Sequence, residues 1–307
     1  MSRTQKWFHA GLICLLTGFA LCLTVACLKG FDWAGLGTEL HYDAQELEIE
    51  EPFDTVDLRG ANGEDLRVLP AEDGVCRLVM PQAEDASLRS SAEVRDGVLH
   101  IVYRDERPWY QHLNVFVSTG ATGVTLYWPE DRDALTVLGT SGDVSAEEGL
   151  RLESLTVSVT SGEVNVKAAI DGELRVRSTS GDVKLWGLRC ERTISLASTS
   201  GDLWGLDLGC GSFAAESTSG DQHYDTLRAE RATLASTSGE LRFERLTAEE
   251  AEIRCTSGDV HGTVTQPMDF RGSTRSGDVH LPEPKSGAGS FRVSTTSGDV
   301  HVSVAKN

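Results

Sequence analysis

The sequence predicts an all-β protein, a parallel β-solenoid with coils of about 19–21 residues, preceded by one N-terminal transmembrane helix. Three observations predict it. A phrase built on Ser-Gly-acid recurs from residue 140 onward at intervals of 20, 19, 20, 19, 19, 19, 19 and 21 residues. Around each copy apolar and polar residues alternate with period two, the pattern of a strand with one buried face. Ahead of the repeats, Trp7 to Leu28 is an uncharged, mostly apolar run of 22 residues. A fixed period near 20 marks stacked turns, each of which cannot bury its apolar face without neighbours.

From the N-terminus, residues 1–6 read as a cytoplasmic tail, 7–28 as the membrane span and 29–40 as a linker. As a helix the span is about 33 Å long against a hydrocarbon core of about 30 Å, and it exceeds the apolar core of a cleavable signal peptide. Arg3 and Lys6 precede it, whereas Lys29 alone follows before Asp32, Glu39 and Asp43, which favours a single-pass protein with its C-terminal part outside the cell membrane. The rival is a lipoprotein anchored at Cys27, because Leu23-Thr24-Val25-Ala26-Cys27 is close to a relaxed lipobox. Thr24 is a poor residue for that motif, and Phe31-Asp32-Trp33 fits an interfacial belt better than a tether.

Residues 41–135 carry short alternating runs, such as Val98-Leu99-His100-Ile101-Val102, and read as an irregular β beginning of the stack that caps its membrane-near end. Residues 136–307 form the regular solenoid, with corners at Gly142, Gly162, Gly181, Gly201, Gly220, Gly239, Gly258, Gly277 and Gly298. Ser precedes every one of these glycines and Asp or Glu follows it. Two and four residues after the glycine stand mostly aliphatic or aromatic residues, with Gln222 the exception in the first column. Seven and five residues before it lie two more apolar columns, including Leu174, Ile194 and Phe213, then Val176, Leu196 and Leu234. The segment between the two strands, such as Ala168-Ala169-Ile170-Asp171-Gly172, reads as a polar outer turn. Sequential stacking at about 4.8 Å per coil gives a rod of about 38 Å. It leaves the last strand, Val300 to Val304, as an edge guarded only by Lys306, where self-association is expected.

Net charge is −19, and all the acid excess lies after residue 30. No cluster of cations offers phosphate contacts, so no nucleic-acid partner is expected. The corner acids read as turn chemistry, in which Gly permits the bend and Asp accepts amide hydrogen bonds, rather than as a calcium ladder. A zinc-type site is the sharpest candidate for a metal: His261, His280 and His301 lie two residues after Asp259, Asp278 and Asp299, giving three stacked Asp-x-His units. Cys190 and Cys210 fall nine residues after consecutive corner glycines, at a spacing that admits a disulfide or a free thiol pair. Cys255 occupies a column otherwise filled by residues such as Ser178, Ser198, Ser217 and Ser236 and reads as a small inward residue. No catalytic residues emerge: the recurring Ser has one structural role, without a paired His, a nucleophile elbow or a phosphate loop.

The N-terminal anchor, the segment Glu50-Glu51-Pro52-Phe53-Asp54-Thr55-Val56, the Trp128-Pro129 strand end and the repeated Thr-Ser-Gly-Asp-Val phrase together resemble the bacterial "putative adhesin" β-strand-repeat family of unknown function. The resemblance covers nearly the whole chain and implies a right-handed solenoid on the outer side of a bacterial, Gram-positive membrane, with no catalytic residues to carry over. Expected is a non-enzymatic display, adhesion or interaction module with a cell-wall, glycan or protein partner. The alternative is an envelope-stress sensor acting through membrane partners, and a carbohydrate-active enzyme ranks below both. No cofactor is expected beyond the candidate ions zinc and calcium.

Overall fold

A computed structural model describes residues 17–18, 24, 42–60, 63–83, 88–105, 123–285 and 289–305. The chain divides into two compact units, and the solenoid is the one made of residues 42–105 and 121–307. Of the other, residues 1–41 and 106–120, only Thr17, Gly18 and Thr24 are described, all three helical. The expected membrane span at 7–28 and the lipid-anchor alternative at Cys27 therefore lie outside the described residues, save those three positions. Among the described residues no helix is long and apolar enough to cross a membrane.

The solenoid is all-β and right-handed. Its first strands are β1 (Tyr42–Glu48), β2 (Thr55–Gly60), β3 (Leu66–Pro70), β4 (Arg77–Ala83), β5 (Leu88–Arg95), β6 (Val98–Asp105) and β7 (Val124–Trp128). The regular coils follow as β8 (Ala134–Gly139), β9 (Val144–Ala146), β10 (Arg151–Ser161), β11 (Val164–Val166), β12 (Ala169–Ser180), β13 (Val183–Trp186), β14 (Arg189–Ser200), β15 (Leu203–Ser219), β16 (Gln222–Ser238) and β17 (Leu241–Ser257). The last coils are β18 (Val260–Val264), β19 (Asp269–Ser276), β20 (Val279–His280), β21 (Ser290–Ser297) and β22 (Val300–Val304). From β8 onward every pairing is parallel, and equivalent residues of successive coils are register partners, as in Leu174 with Ile194 and Val176 with Leu196.

The four expected apolar columns are buried: Leu174, Ile194, Phe213, Leu203, Leu241 and Val260 are all inaccessible to solvent. The expected polar outer turn is not one. Ala168 and Ile170 are fully buried, as is Leu208, and Leu188, Leu227 and Leu246 are at most 1% exposed, so this stretch forms a third packed side of each coil. Coils of 19 and 20 residues stay in step because irregularities in register, between Leu152 and Ser154 and between Cys190 and Thr193, absorb the difference. Inside, bulk is matched against space. A β-carbon on Gly262 would overlap the Phe243 ring, and one on Gly205 would crowd Tyr224 and Leu208. Gln222, the break in the aliphatic column, is buried with its partners: its Nε2 donates to the Ala235 carbonyl (2.6 Å), and Tyr224 donates its hydroxyl to Gln222 Oε1 (3.2 Å). Both polar groups are thereby satisfied inside the core.

At both ends the coils do not stack in chain order. β21 pairs with β17 on one side and β19 on the other, and β22 lies between β18 and β20. The coil with corner Gly298 is thus inserted between those of Gly258 and Gly277. The expected edge at Val300–Val304 is overturned: that strand is internal, Val300 is fully buried, and the outermost coil is β19–β20. Arg271, Arg275, Pro282 and Pro284 populate this outer coil, and such residues block edge pairing. The N-terminal end repeats the device, since β2 lies between β6 and β8, and β3 between β7 and β9. Beyond them β4 pairs antiparallel with β7 and with β1, and β5 pairs antiparallel with β6.

Candidate functional site

The corners run down the rod as one continuous structure. Every corner glycine has a positive φ, from +97° at Gly142 to +140° at Gly258, a region closed to most side chains. A β-carbon on Gly220 would also fall closer than 3.0 Å to the carbonyl oxygen and carbon of Gly201 in the coil beneath. Glycine is therefore required twice over, for the bend and for the close approach of coils.

The acid after each glycine has a job that its type reveals. Asp143 N–H donates to Asp65 Oδ1 (2.7 Å) and Glu163 N–H to Asp143 Oδ1 (2.7 Å). Asp202 N–H donates to Asp182 (2.9 Å), Asp221 N–H to Asp202 (2.8 Å) and Glu240 N–H to Asp221 (2.8 Å). At the rearranged end Asp299 N–H donates to Asp259 and Asp278 N–H to Asp299, both at 2.8 Å. Each Asp but Asp278, which ends the ladder, thus caps the amide of the next coil. The two glutamates are a methylene too long for this, and they turn instead to cations: Glu163 to Lys184 Nζ and Glu240 to Arg242, each at 2.5 Å. The Glu163 hydrogen bond, with Asp182 and Asp143 nearby, holds the Lys184 ammonium above its ordinary pKa. Asp65 extends the ladder to a coil where the phrase is absent, since Gly63-Glu64-Asp65 places the acid one residue later than elsewhere.

The ladder predicts a specific mutational pattern. Asp221→Ala removes the acceptor of the Glu240 amide and is expected to cost about 1 kcal/mol, whereas Asp221→Asn keeps an oxygen in place and costs less. Urea melts with and without EDTA check this: the account predicts no effect of the chelator, while a cation ladder would make the wild type sensitive to it and Asp221→Asn as damaging as Asp221→Ala.

The three candidate histidines occupy one outer column, in the spatial order His261, His301, His280, which corrects the order expected from sequential stacking. The His280 and His301 ring centroids are 5.9 Å apart. One oxygen of Asp259 and one of Asp299 is spent on the ladder, while Asp278 supplies the amide at its end. Among the described residues, no group of three or more His, Cys, Asp and Glu side chains is arranged to hold a metal.

Cys190 and Cys210 are register partners on adjacent coils, and both thiols are free. Burial pushes each up to about 12, with the neighbouring Cys210 and then Asp171 adding to the shift at Cys190, so both stay protonated at neutral pH. Cys255 is buried as expected, its Sγ 3.5 Å from the Gly258 carbonyl; Ser178 Oγ makes the equivalent bond to Gly181 (3.2 Å). Outside this column runs an open trough of about 600 Å³ lined by Thr179, Thr199, Thr218, Thr237, Thr256 and Thr296.

One outer face departs from the polar rule. Trp186, Trp204 and Leu206 are 40%, 43% and 41% exposed, on neighbouring strands. Trp186 is the register partner of Leu206, and Lys184 that of Trp204. The Trp204 ring lies 4.9 Å from that of His223, its register partner in the next coil, at an interplanar angle of 36°. Sequence reasoning missed this patch because its residues sit in columns that are polar in other coils, such as Asn165 and Arg242 beside Trp204, or Lys167 and Glu244 beside Leu206.

Comparison with known proteins gives a family match over most of the chain: the model described as Toastrack DUF4097 matches residues 60–204 and 206–307. No curated protein matches. Among solved structures, a "putative adhesin" from Bacteroides fragilis is 16% identical, with 86% of this chain and 97% of that one covered and a TM-score of 0.46. A "putative lipid binding protein" from Parabacteroides distasonis is 14% identical, covering 87% and 97%, with a TM-score of 0.45. A "putative cell adhesion protein" from Clostridium sporogenes is 9% identical, covering 86% and 100%, with a TM-score of 0.24.

Proposed function

The chain belongs to the Toastrack DUF4097 family, and from that premise we propose that it is a non-enzymatic interaction module, tethered to the outer side of a bacterial cell membrane, that presents the flank of its solenoid to a partner. The observation that carries this reading is the division of labour along the coil. Of the residues that recur, Gly and Asp hold coil to coil through the corner ladder, and buried Ser hydroxyls such as that of Ser178 fasten a corner to its own strand. What varies from coil to coil is the outer face, and there the exposed Trp186, Trp204 and Leu206 stand out. Apolar side chains held on a rigid sheet facing water mark contact surfaces more than they mark stability. The tether is supported by the uncharged run from Trp7 to Leu28 and the basic residues ahead of it.

Cells producing the full chain test this. External protease on intact cells is expected to cleave it, and those cells are expected to retain purified envelope polymer that cells producing residues 1–41 alone do not. A chain protected from external protease, or equal retention by both, contradicts the proposal.

A further inference from the structure

We propose that Trp186, Trp204 and His223, flanked by Leu206, form a stacking platform for the apolar face of neutral sugar rings. This rests on the interaction-module reading and names the ligand class for it. The platform is built on three consecutive parallel strands, so its side chains are fixed by sheet geometry rather than by a loop. Trp186 and Trp204 are diagonal neighbours on one face, about 7–8 Å apart at the backbone. That places two indoles within the span of adjacent residues of an oligosaccharide.

Size and charge select the occupant. At about 40% exposure of side chains of roughly 150–250 Å², the two indoles and Leu206 offer about 190–310 Å² of apolar surface. A stable protein partner needs about 800 Å² per side. One or two sugar rings need no more than the platform provides. The cations bordering the patch are already paired: Lys184 with Glu163, Arg245 with Asp225, and both Arg189 and Arg228 with Asp207, while the nearby Asp202 and Asp221 each hold an amide of the next coil. Among the described residues no unpaired cation is left there to draw an anionic ligand, and a net charge of −19 repels anionic polymers. The same ion pairs set fixed donors and acceptors at the rim, where they can meet the hydroxyls of a ring whose C–H face lies on the indole.

The full chain in phosphatidylcholine nanodiscs, titrated calorimetrically with hexasaccharides of glucose, mannose and N-acetylglucosamine and with an oligogalacturonate, tests the proposal. At least one neutral hexasaccharide is expected to bind, and the Trp186→Ala/Trp204→Ala variant to bind it about tenfold or more weakly, with an unchanged melting temperature. The Trp186→Phe/Trp204→Phe variant is expected to retain binding within about threefold, because it keeps two aromatic faces. The proposal is overturned if no neutral sugar binds at millimolar concentration, if the double Ala variant binds as well as wild type, if the oligogalacturonate binds equally tightly, or if the double Ala change abolishes a dimer instead. Cells that still retain envelope polymer when both tryptophans are Ala would overturn the platform while leaving the interaction module standing.

Discussion

Gly220→Ala is expected to destabilise the solenoid by about 3 kcal/mol or more. Two effects add. At φ +117° an alanine is strained, which costs about 1–3 kcal/mol. Its β-carbon would also collide with the Gly201 carbonyl, and since both atoms belong to backbone, only separation of the coils relieves the clash. That separation stretches the Asp221-to-Asp202 and Glu240-to-Asp221 bonds on either side. Gly187 provides the control: its φ is +64°, and nothing lies within 4 Å of a β-carbon added there. Gly187→Ala should therefore cost only the strain, about 1 kcal/mol. Urea denaturation of the two variants separates the effects, and equal losses would show that close approach of the coils is not what selects glycine at the corner.

Phe291→Ala should cost about 3–5 kcal/mol, the range for a buried aromatic truncated to a methyl. Phe291 is fully buried, 5.4 Å from the Phe270 ring and 6.1 Å from that of Phe243. Its position in the inserted coil makes the consequence diagnostic. Solenoid stability is close to a sum of nearest-neighbour terms, so damage stays near its source. Because β21 carries β19 above it, hydrogen exchange in Phe291→Ala is expected to accelerate in β19–β20 together with β21–β22, while β12 to β16 keep their protection. Acceleration confined to β21–β22, with β19–β20 still protected, would instead place the final coil at the end of the rod.

The parts of this fold that recur in every coil were legible in the sequence. Ser-Gly-Asp and its flanking columns repeat often enough that the corner, the inner faces and the register of Cys190 with Cys210 follow from alignment alone. The third packed side was hidden because its columns alternate large residues with small or polar-looking ones, such as Leu188 and Leu208 against Ala168 and Cys190, and because 19- and 20-residue coils shift them by one position. Leu188, Leu208, Leu227 and Leu246, each seven residues after a corner glycine, were the available signal. Coil order at the ends was not legible for a deeper reason. Coils that share the same columns fit one another in any order, so the choice rests on connecting segments, and only the 21-residue last interval and Pro267, Pro282 and Pro284 hint at it. In the candidate site, the acids read as turn residues accept amide hydrogen bonds that reach across coils, which explains Asp at most corners and a paired cation where Glu stands. The exposed tryptophans carry no periodic signal, as expected of residues that serve something other than the stack.

The central structural claim is that one ladder of corners joins the coils, with the last coil in the chain lying inside the stack. Paired cysteines in a background whose native cysteines are serine test it most directly. His261→Cys with His301→Cys should form a disulfide under added oxidant, because the two positions are register partners on the outer face, where the oxidant reaches them as it does not reach the buried Cys190. His261→Cys with His280→Cys should stay reduced, being two strands apart. Cross-linking of the second pair and not the first would mean that the coils stack in chain order, and would contradict the account.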